Sequence, residues 1–337
     1  MKKAILICMF AIALGICIPA LPLLLEKDKQ PEPEPTLPEV TEPATQAAIP
    51  VTEADFGGGK LEVSVLMEDG TVTPLALDDY LTGVLLAEMP ASFEVDALKA
   101  QAVVARTITL RQAKASKHDN CQICANPACC QGYISVASYL EKAGQNAMEN
   151  VEKARKAVSD TDLEVLLYDG ALIDATYFSC SGGKTEAAVA VWGSDVPYLQ
   201  SVDSPGEEIA VHYTDEVVYT CQEFAAKLVV ENAAADFSGE PASWFGEITR
   251  TEGGGVETAV LGKVSYSGTT LRRVLKLRST AFTMTTDGQN VTITTQGYGH
   301  RVGMSQYGAE AMALAGSTYQ EILSHYYAGT VLSTYGN

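Results

Sequence analysis

Apolar and polar positions divide the chain into stretches of different period. Residues 4–25 carry no charge, with Lys2 and Lys3 before them and Glu26, Lys27, Asp28 and Lys29 after. At 1.5 Å per residue that run makes about 33 Å of helix, close to the apolar thickness of a bilayer. Its A-x-A triplet, Ala11-Ile12-Ala13, follows too short an apolar run to mark signal-peptide cleavage. Gly15-Ile16-Cys17 suits a lipoprotein cleavage site poorly. The pattern predicts an uncleaved, single-pass anchor over 1–25. Lys2 and Lys3 keep the N-terminus in the cytoplasm, so the remainder faces outward from the cell membrane. Over 26–57, Pro31, Pro33, Pro35, Pro38, Pro43 and Pro50 alternate with acidic and small residues. Such a segment has too little apolar surface to fold and reads as an extended tether.

Beyond it the periods become those of folded elements. Leu61 to Leu66 alternates as a strand and Glu68-Asp69-Gly70 turns it. Leu77 to Met89 reads as a helix, with Asp78 or Asp79 available to cap it and Pro90 to stop it. A second helix runs from about Glu94 to Ala115, with Leu98, Ala102, Ala105 and Thr109 at helical spacing. The cysteine-rich stretch Cys121 to Cys130 follows as a loop, then a third helix over Val136 to Val158. From Val165 the period changes to two. Val165–Tyr168 and Ala171–Ile173 form a hairpin about Asp169-Gly170, and Thr176 to Ser179 extends its second strand. Strands are expected over 258–267 and 280–295, with a turn at Asp287-Gly288. Met304 to Ala315 reads as a helix. Thr318-x-x-Glu321 is a capping box and Gly329 sits where a helix C-cap belongs. Early helices, then mixed or antiparallel strands, then closing helices make an α+β fold over 58–337, as one domain or two subdomains.

Charge narrows the partners. The 337 residues carry a net charge of −19. Nucleic acid needs clustered Lys and Arg, so it is not an expected partner. Neutral sugars remain compatible.

Glu88 is the first candidate for chemistry. It is the only charge between Asp79 and Glu94, and Val84, Leu85 and Leu81 share its helical face. Lost hydration and the negative end of the helix dipole both raise a carboxyl pKa there. A protonated carboxyl is what a general acid of glycosidic cleavage must be. The plainer alternative is a Glu that reaches solvent or pairs with Arg106 on the next helix.

Seven motifs in order extend these readings: "LDDYLTGVLLAEMP", "ALKAQAVVARTITL", "ICANPACCQGY", "YFSCSGGKTE", "VWGSDVPYLQSVDSP", "LRRVLKLRST" and "GYGHRVGMSQYGAEAMALAG", with "YQEILSHYYAGT" closing. Together the sequence resembles the stage II sporulation protein D family over about 61–332. The resemblance implies a lytic transglycosylase of sporulation. Such an enzyme cleaves the β-1,4 bond between MurNAc and GlcNAc in peptidoglycan strands stripped of stem peptides, leaving 1,6-anhydro-MurNAc ends. It further implies Glu88 as the catalytic residue, Arg106 at the family's arginine position, and stimulation of a partner engulfment amidase (SpoIIP-like) beside a membrane scaffold (SpoIIM-like). An alternative of another class is a non-catalytic glycan-binding activator of the amidase. A hydrolase with a second carboxylate, Asp78 or Asp174, is a third.

Around Gly182-Gly183, the polar residues Tyr177, Ser179, Ser181, Lys184, Thr185 and Glu186 either line a glycan groove or flank a turn. "GYGHRVGMSQYG" has neither a GK[ST] ending nor dinucleotide spacing. Its His300, Ser305, Gln306 and Tyr307 are candidates to bond sugar hydroxyls. The family more often has glycine where this chain has Arg301.

Half of the eight cysteines lie between 121 and 130. An even number beyond the anchor would allow disulfides in an exported domain. His118, Cys124 and Cys130, each six apart, instead match the zinc ligands of some family members. Thiolates with imidazole suit zinc. Water or Cys121 would be the fourth ligand, and Cys129 stands where many relatives carry histidine. A structural zinc is the favoured reading, with a water-activating zinc as its runner-up. Cys180 and Cys221 are expected as buried free thiols.

Overall fold

A computed structural model describes residues 61–336. The anchor and tether expected over 1–25 and 26–57 lie outside the described residues. Among the described residues no helix is long and apolar enough to cross a membrane.

The alternating start of the fold forms β1 (Glu62–Leu66) and β2 (Val72–Ala76), an antiparallel pair. Its turn is fixed by Asp69, whose carboxylate accepts from the Thr71 amide at 2.9 Å and hydroxyl at 2.7 Å. β2 runs directly into α1 (Leu77–Glu88). Asp78 and Asp79 do not cap this helix: the N-cap is Ala76, and the two carboxylates lie in the first turn, where their charge complements the positive end of the helix dipole. α1 buries Tyr80, Leu81, Val84 and Leu85, each large apolar side chain contributing about 1.5–3 kcal/mol. α2 (Val95–Lys114) is the central helix, and Leu98, Ala102, Ala105 and Thr109 are all enclosed.

Three expectations need correction. The cysteine-rich loop contains a short strand, β3 (Ile123–Cys124), parallel to β1. The single helix expected over Val136–Val158 is two, α3 (Val136–Lys142) and α4 (Ala147–Asp160). The break falls at Gly144, a poor helix former. The hairpin of β4 (Glu164–Tyr168) and β5 (Ala171–Leu172) forms as read, with Asp169 and Gly170 at positive φ. However, Thr176–Ser179 does not extend it. β6 (Tyr177–Phe178) pairs in parallel with β13 (Met304–Ser305), far along the chain. Tyr177 is thereby set opposite Met304.

Two apolar cores share one compact unit. The first gathers α1, α2, α4 and β4 with the closing helices α8 (Gln306–Leu314) and α9 (Tyr319–Tyr326). β14 (Val331–Thr334) finishes its edge against β4. The second core, preceded by the short helix α5 (Ala188–Trp192), is inserted between. It is built on β7 (Thr214–Thr220), α6 (Cys221–Glu231), the sheet of β8 (Phe245–Arg250), β9 (Val256–Leu261) and β10 (Val264–Ser267), and α7 (Gly268–Val274). β11 (Ala281–Thr286) and β12 (Asn290–Gln296) complete it against β7. The capping box Thr220–Glu223 starts α6, and the one expected at Thr318–Glu321 starts α9.

Arg301 joins the segments where the cores meet. Only 2 % exposed, it donates to the Ser181 carbonyl at 2.6 Å, to the Lys184 and Gly253 carbonyls at 2.7 Å, and to Glu186 Oε1 at 3.0 Å. Its φ of 68° explains how a glycine could stand there. The arginine adds the ion pair. Arg301→Gly leaves Glu186 buried without its cation, and urea unfolding should show a loss of about 3–5 kcal/mol. Adding Glu186→Gln should recover much of that loss.

Candidate active site and metal centre

Glu88 is the last residue of α1, half-buried above Val84 and Leu85. Its Oε1 accepts a 2.5 Å hydrogen bond from the Gly132 amide. The Tyr177 hydroxyl faces the same carboxyl and favours its ionised form. Burial raises the Glu88 pKa above the ordinary carboxyl range; the Gly132 and Tyr177 bonds pull the other way, and burial wins. Among the described residues no carboxylate perturbs Glu88: Asp78 acts on Arg106, and Asp174 is raised by burial against the pull of Arg111 and Lys117. An acid that is also held by two donors can give up its proton and then take one back.

The partners of Glu88 come from three separate parts of the chain, and two glycines permit the approach. A Cβ on Gly132 would lie 2.8 Å from Glu88 Oε1. A Cβ on Gly83 would lie 2.4 Å from the Tyr133 ring and 2.5 Å from the Ile134 carbonyl. The segment 131–134 therefore lies directly along α1. Gln131 is enclosed and donates to Thr109 Oγ1 at 2.9 Å, tying the segment to α2. From the third part, Gln306 Nε2 donates to the Glu88 carbonyl at 3.0 Å.

Just ahead of Gly132 lies a cluster that could hold a metal ion. The ligand atoms of His118, Cys124, Cys129 and Cys130 all fall within 4.8 Å of one another. His118 Nε2 stands 3.4 Å from Cys130 Sγ and 3.8 Å from Cys129 Sγ. A tetrahedral ion with one imidazole and three thiolates requires N-to-S edges of about 3.5 Å. The donor set fits. Cys129, not Cys121, completes it: Cys121 is buried outside the cluster. Burial, with the Cys124 thiol beside it, pushes the Cys130 thiol up to about 12, so it needs a cation to become thiolate at neutral pH. The six cysteines from Cys121 onward are free thiols; Cys180 is buried and Cys221 half-buried.

The other expected site residues divide by position. Tyr177 and Gln306 meet Glu88, and Tyr307 stands nearby, its ring edge-on to Phe93 at 5.0 Å and its amide on the Ser179 carbonyl. Arg106 lies inside the core. It donates to the Val158 carbonyl at 2.9 Å and the Glu164 carbonyl at 3.3 Å, and it does not pair with Glu88. Ser181 is enclosed and bonds Glu207 Oε2 through both amide and hydroxyl, at 2.6 Å and 2.8 Å. Thr185, also enclosed, accepts from the Val202 amide at 2.8 Å. Lys184 reaches Glu252 at 3.4 Å. His300 lies between Phe178 and Trp192, its Nδ1 accepting from the Val302 amide at 3.1 Å and its ring facing the Tyr177 carbonyl.

Sequence reasoning missed Gly132 and Glu207 and left the role of Cys129 open; the structure puts its thiol in the cluster. The "CQGY" run holds a small residue beside a buried amide, but nothing in it points to Glu88. Glu207 is an acid in an ordinary polar stretch.

The family model described as stage II sporulation protein matches residues 68–168. Over 267 residues the chain is 38 % identical to stage II sporulation protein D of Bacillus amyloliquefaciens, covering 78 % of this chain and 76 % of the relative. The same protein of Bacillus subtilis strain 168 is 37 % identical over 273 residues, with the same coverage. A B. subtilis amidase enhancer is 30 % identical over 314 residues, covering 76 % of this chain but 40 % of the relative.

Two outcomes follow from this geometry. Native mass spectrometry of reduced protein should find one divalent metal per chain, retained in Cys121→Ser and weakened in Cys129→Ser. Retention in both variants would remove Cys129 from the ligand set. Secondly, the folded state binds the Glu88 proton more tightly than the unfolded chain does. Stability should therefore fall as pH rises from the ordinary carboxyl range through the raised Glu88 pKa. Urea titrations across pH should show that loss in the native chain and a smaller one in Glu88→Gln.

Proposed function

The chain belongs to the stage II sporulation protein D family, and on that premise we propose that it is a membrane-anchored lytic transglycosylase of sporulation. Its substrate is the MurNAc-GlcNAc β-1,4 bond of peptide-free peptidoglycan strands. The observation that carries this reading is Glu88: one carboxyl, raised in pKa by burial, met by the Gly132 amide and the Tyr177 hydroxyl, and acted on by no second carboxylate among the described residues.

The chemistry needs one group used twice. Protonated Glu88 gives its proton to the bridging oxygen as the bond from that oxygen to the muramic C1 breaks. Positive charge develops at C1 and the ring oxygen. The muramic 6-hydroxyl then bonds to C1, and its proton passes to the Glu88 carboxylate. The products are a free 4-hydroxyl on GlcNAc and a 1,6-anhydro ring, with Glu88 protonated again. The Gly132 amide and the Tyr177 hydroxyl stabilise the carboxylate between the two transfers.

Zinc is the metal that three thiolates and an imidazole suit best. When bound it supplies a fixed charge that holds the thiolates together. His118, Cys124, Cys129 and Cys130 would supply four protein ligands, leaving no position for water, which favours a brace over water activation. The uncharged run over 4–25 anchors the chain in the cell membrane, and the tether holds the domain outside the cytoplasm, on the mother-cell side of the septum.

A second reading follows from the relative named amidase enhancer. The chain would bind glycan and stimulate a cell-wall amidase without breaking the sugar bond itself. Partners on either reading are peptidoglycan, an engulfment amidase and a membrane scaffold. Rate measurements on peptide-free strands separate the two. Glu88→Gln should lower strand cleavage by at least about 10²-fold, the lower range for general acid–base catalysis. Native activity should fall as pH rises through the raised Glu88 pKa, because the acid form starts the reaction. No cleavage by the native protein would leave only the activator reading, and equal measurable rates in both proteins would remove Glu88 from the chemistry.

A further inference from the structure

Tyr80, on α1, is fully enclosed, and its hydroxyl has no hydrogen-bond partner at bonding distance. A buried phenol ordinarily finds one. The chemistry described above makes no use of this residue. What surrounds it is the segment that carries the Gly132 amide.

Tyr80 meets that segment on both sides of Gly132. Its ring stacks on Tyr133, with centroids 5.5 Å apart and planes 14° from parallel. Its hydroxyl faces the Gln131 side chain. Gln131 is enclosed too. Its Nε2 is given to Thr109 Oγ1 at 2.9 Å, and its Oε1 has no partner. The buried hydroxyl lacks an acceptor and the buried amide oxygen lacks a donor, so closing one on the other removes two desolvation costs at once. The segment also lies on the next turn of α1, where the Ile134 amide donates to the Gly83 carbonyl at 3.2 Å. Tyr80 stands two helical turns before Glu88, about 12 Å along the axis. It therefore acts on the acid through residues 131–134 and not by direct contact.

We propose that Tyr80 is a positioning residue for Glu88: it holds Gln131 and Tyr133, and thereby fixes the Gly132 amide on the carboxyl. The role of Glu88 as the acid rests on the transglycosylase reading; the packing of α1 on residues 131–134 does not. Few groups face Glu88. The Gly132 amide comes from that segment, the Tyr177 phenol from β6, and the Gln306 amide, on the Glu88 carbonyl, from α8. Among the described residues no cation or carboxylate perturbs it. The Tyr80 phenol in turn feels the Cys124 and Cys130 thiols and Glu88. The Gly132 amide favours the ionised carboxyl. Loosening it raises the Glu88 pKa and leaves the carboxylate formed midway with less support.

The test reads Glu88 itself, by NMR of the full chain with zinc supplied and its glutamate carboxyls labelled with ¹³C. The Glu88 signal is the one absent from Glu88→Gln. Tyr80→Phe keeps the ring on Tyr133 and removes only the hydroxyl. In that variant Glu88 should titrate about half to one pH unit higher than in the native chain, which is what one ordinary hydrogen bond is worth. Gln131→Met should move it the same way, and the double variant no further, because both act through one contact. On peptide-free strands Tyr80→Phe should lower kcat about 3- to 10-fold, the same energy read as a rate, with KM unchanged. The alkaline limb of its pH profile should move up with Glu88. A side chain that only fills the core would cost stability and leave the titration in place. An unmoved or lowered Glu88 pKa in folded Tyr80→Phe therefore overturns the proposal, as do shifts that add in the double variant. An unmoved Glu88 in Gln131→Met overturns it with position 80 untouched, so a folding defect in Tyr80→Phe cannot hide the answer. Undiminished cleavage by Glu88→Gln would strike the catalytic reading alone, since the titration is read without substrate.

Discussion

The hydrogen bond from the Gly132 amide to Glu88 is the contact on which the site depends. It needs a helix that ends at a half-buried carboxyl, a glycine that lets the backbone come within 2.5 Å, and a segment held firmly enough to stay there. The last requirement is met from both sides. Gln131 is bonded into α2, and Cys130, two residues before Gly132, belongs to the metal-capable cluster. A four-ligand ion there would fix the stretch that carries the amide. Cluster and carboxyl are parts of one arrangement.

Desolvation and hydrogen bonding act on Glu88 in opposite directions, and both are needed. Burial makes it an acid; the two donors make its conjugate base tolerable. Had the pull of the donors been stronger, the carboxyl would be ionised before reaching a sugar. Without them the carboxylate formed midway would have no support. Tyr177 arrives on a two-residue strand paired with Met304, and the Arg301 network ties the segment that follows it to the second core.

How much of this the sequence revealed depended on the range of the interactions. Local patterns were readable: α1 and α2, the Asp169-Gly170 hairpin and the Thr318 capping box follow from spacing and turn chemistry over a few residues. Glu88 stood out because it is the one charge on an apolar stripe. Long-range pairings were not readable. Nothing near Thr176 shows that its neighbours leave the hairpin to pair with residue 304. Ser181 and Thr185 looked like groove residues because they are polar near glycines, yet both are enclosed, and Ser181 is held by Glu207. The third case is Cys129, which looked like a departure from the expected histidine. A thiolate can take the place of an imidazole nitrogen in a tetrahedral site, so the departure keeps the ligand.

The central claim is that Glu88 closes an anhydro ring and that no water enters the product. Cleavage of peptide-free strands in H₂¹⁸O, followed by mass spectrometry of the new ends, tests it directly. The account predicts 1,6-anhydro ends that carry no ¹⁸O and are lighter by one water, about 18 Da, than the reducing ends a hydrolase leaves. Reducing ends labelled with ¹⁸O would contradict it.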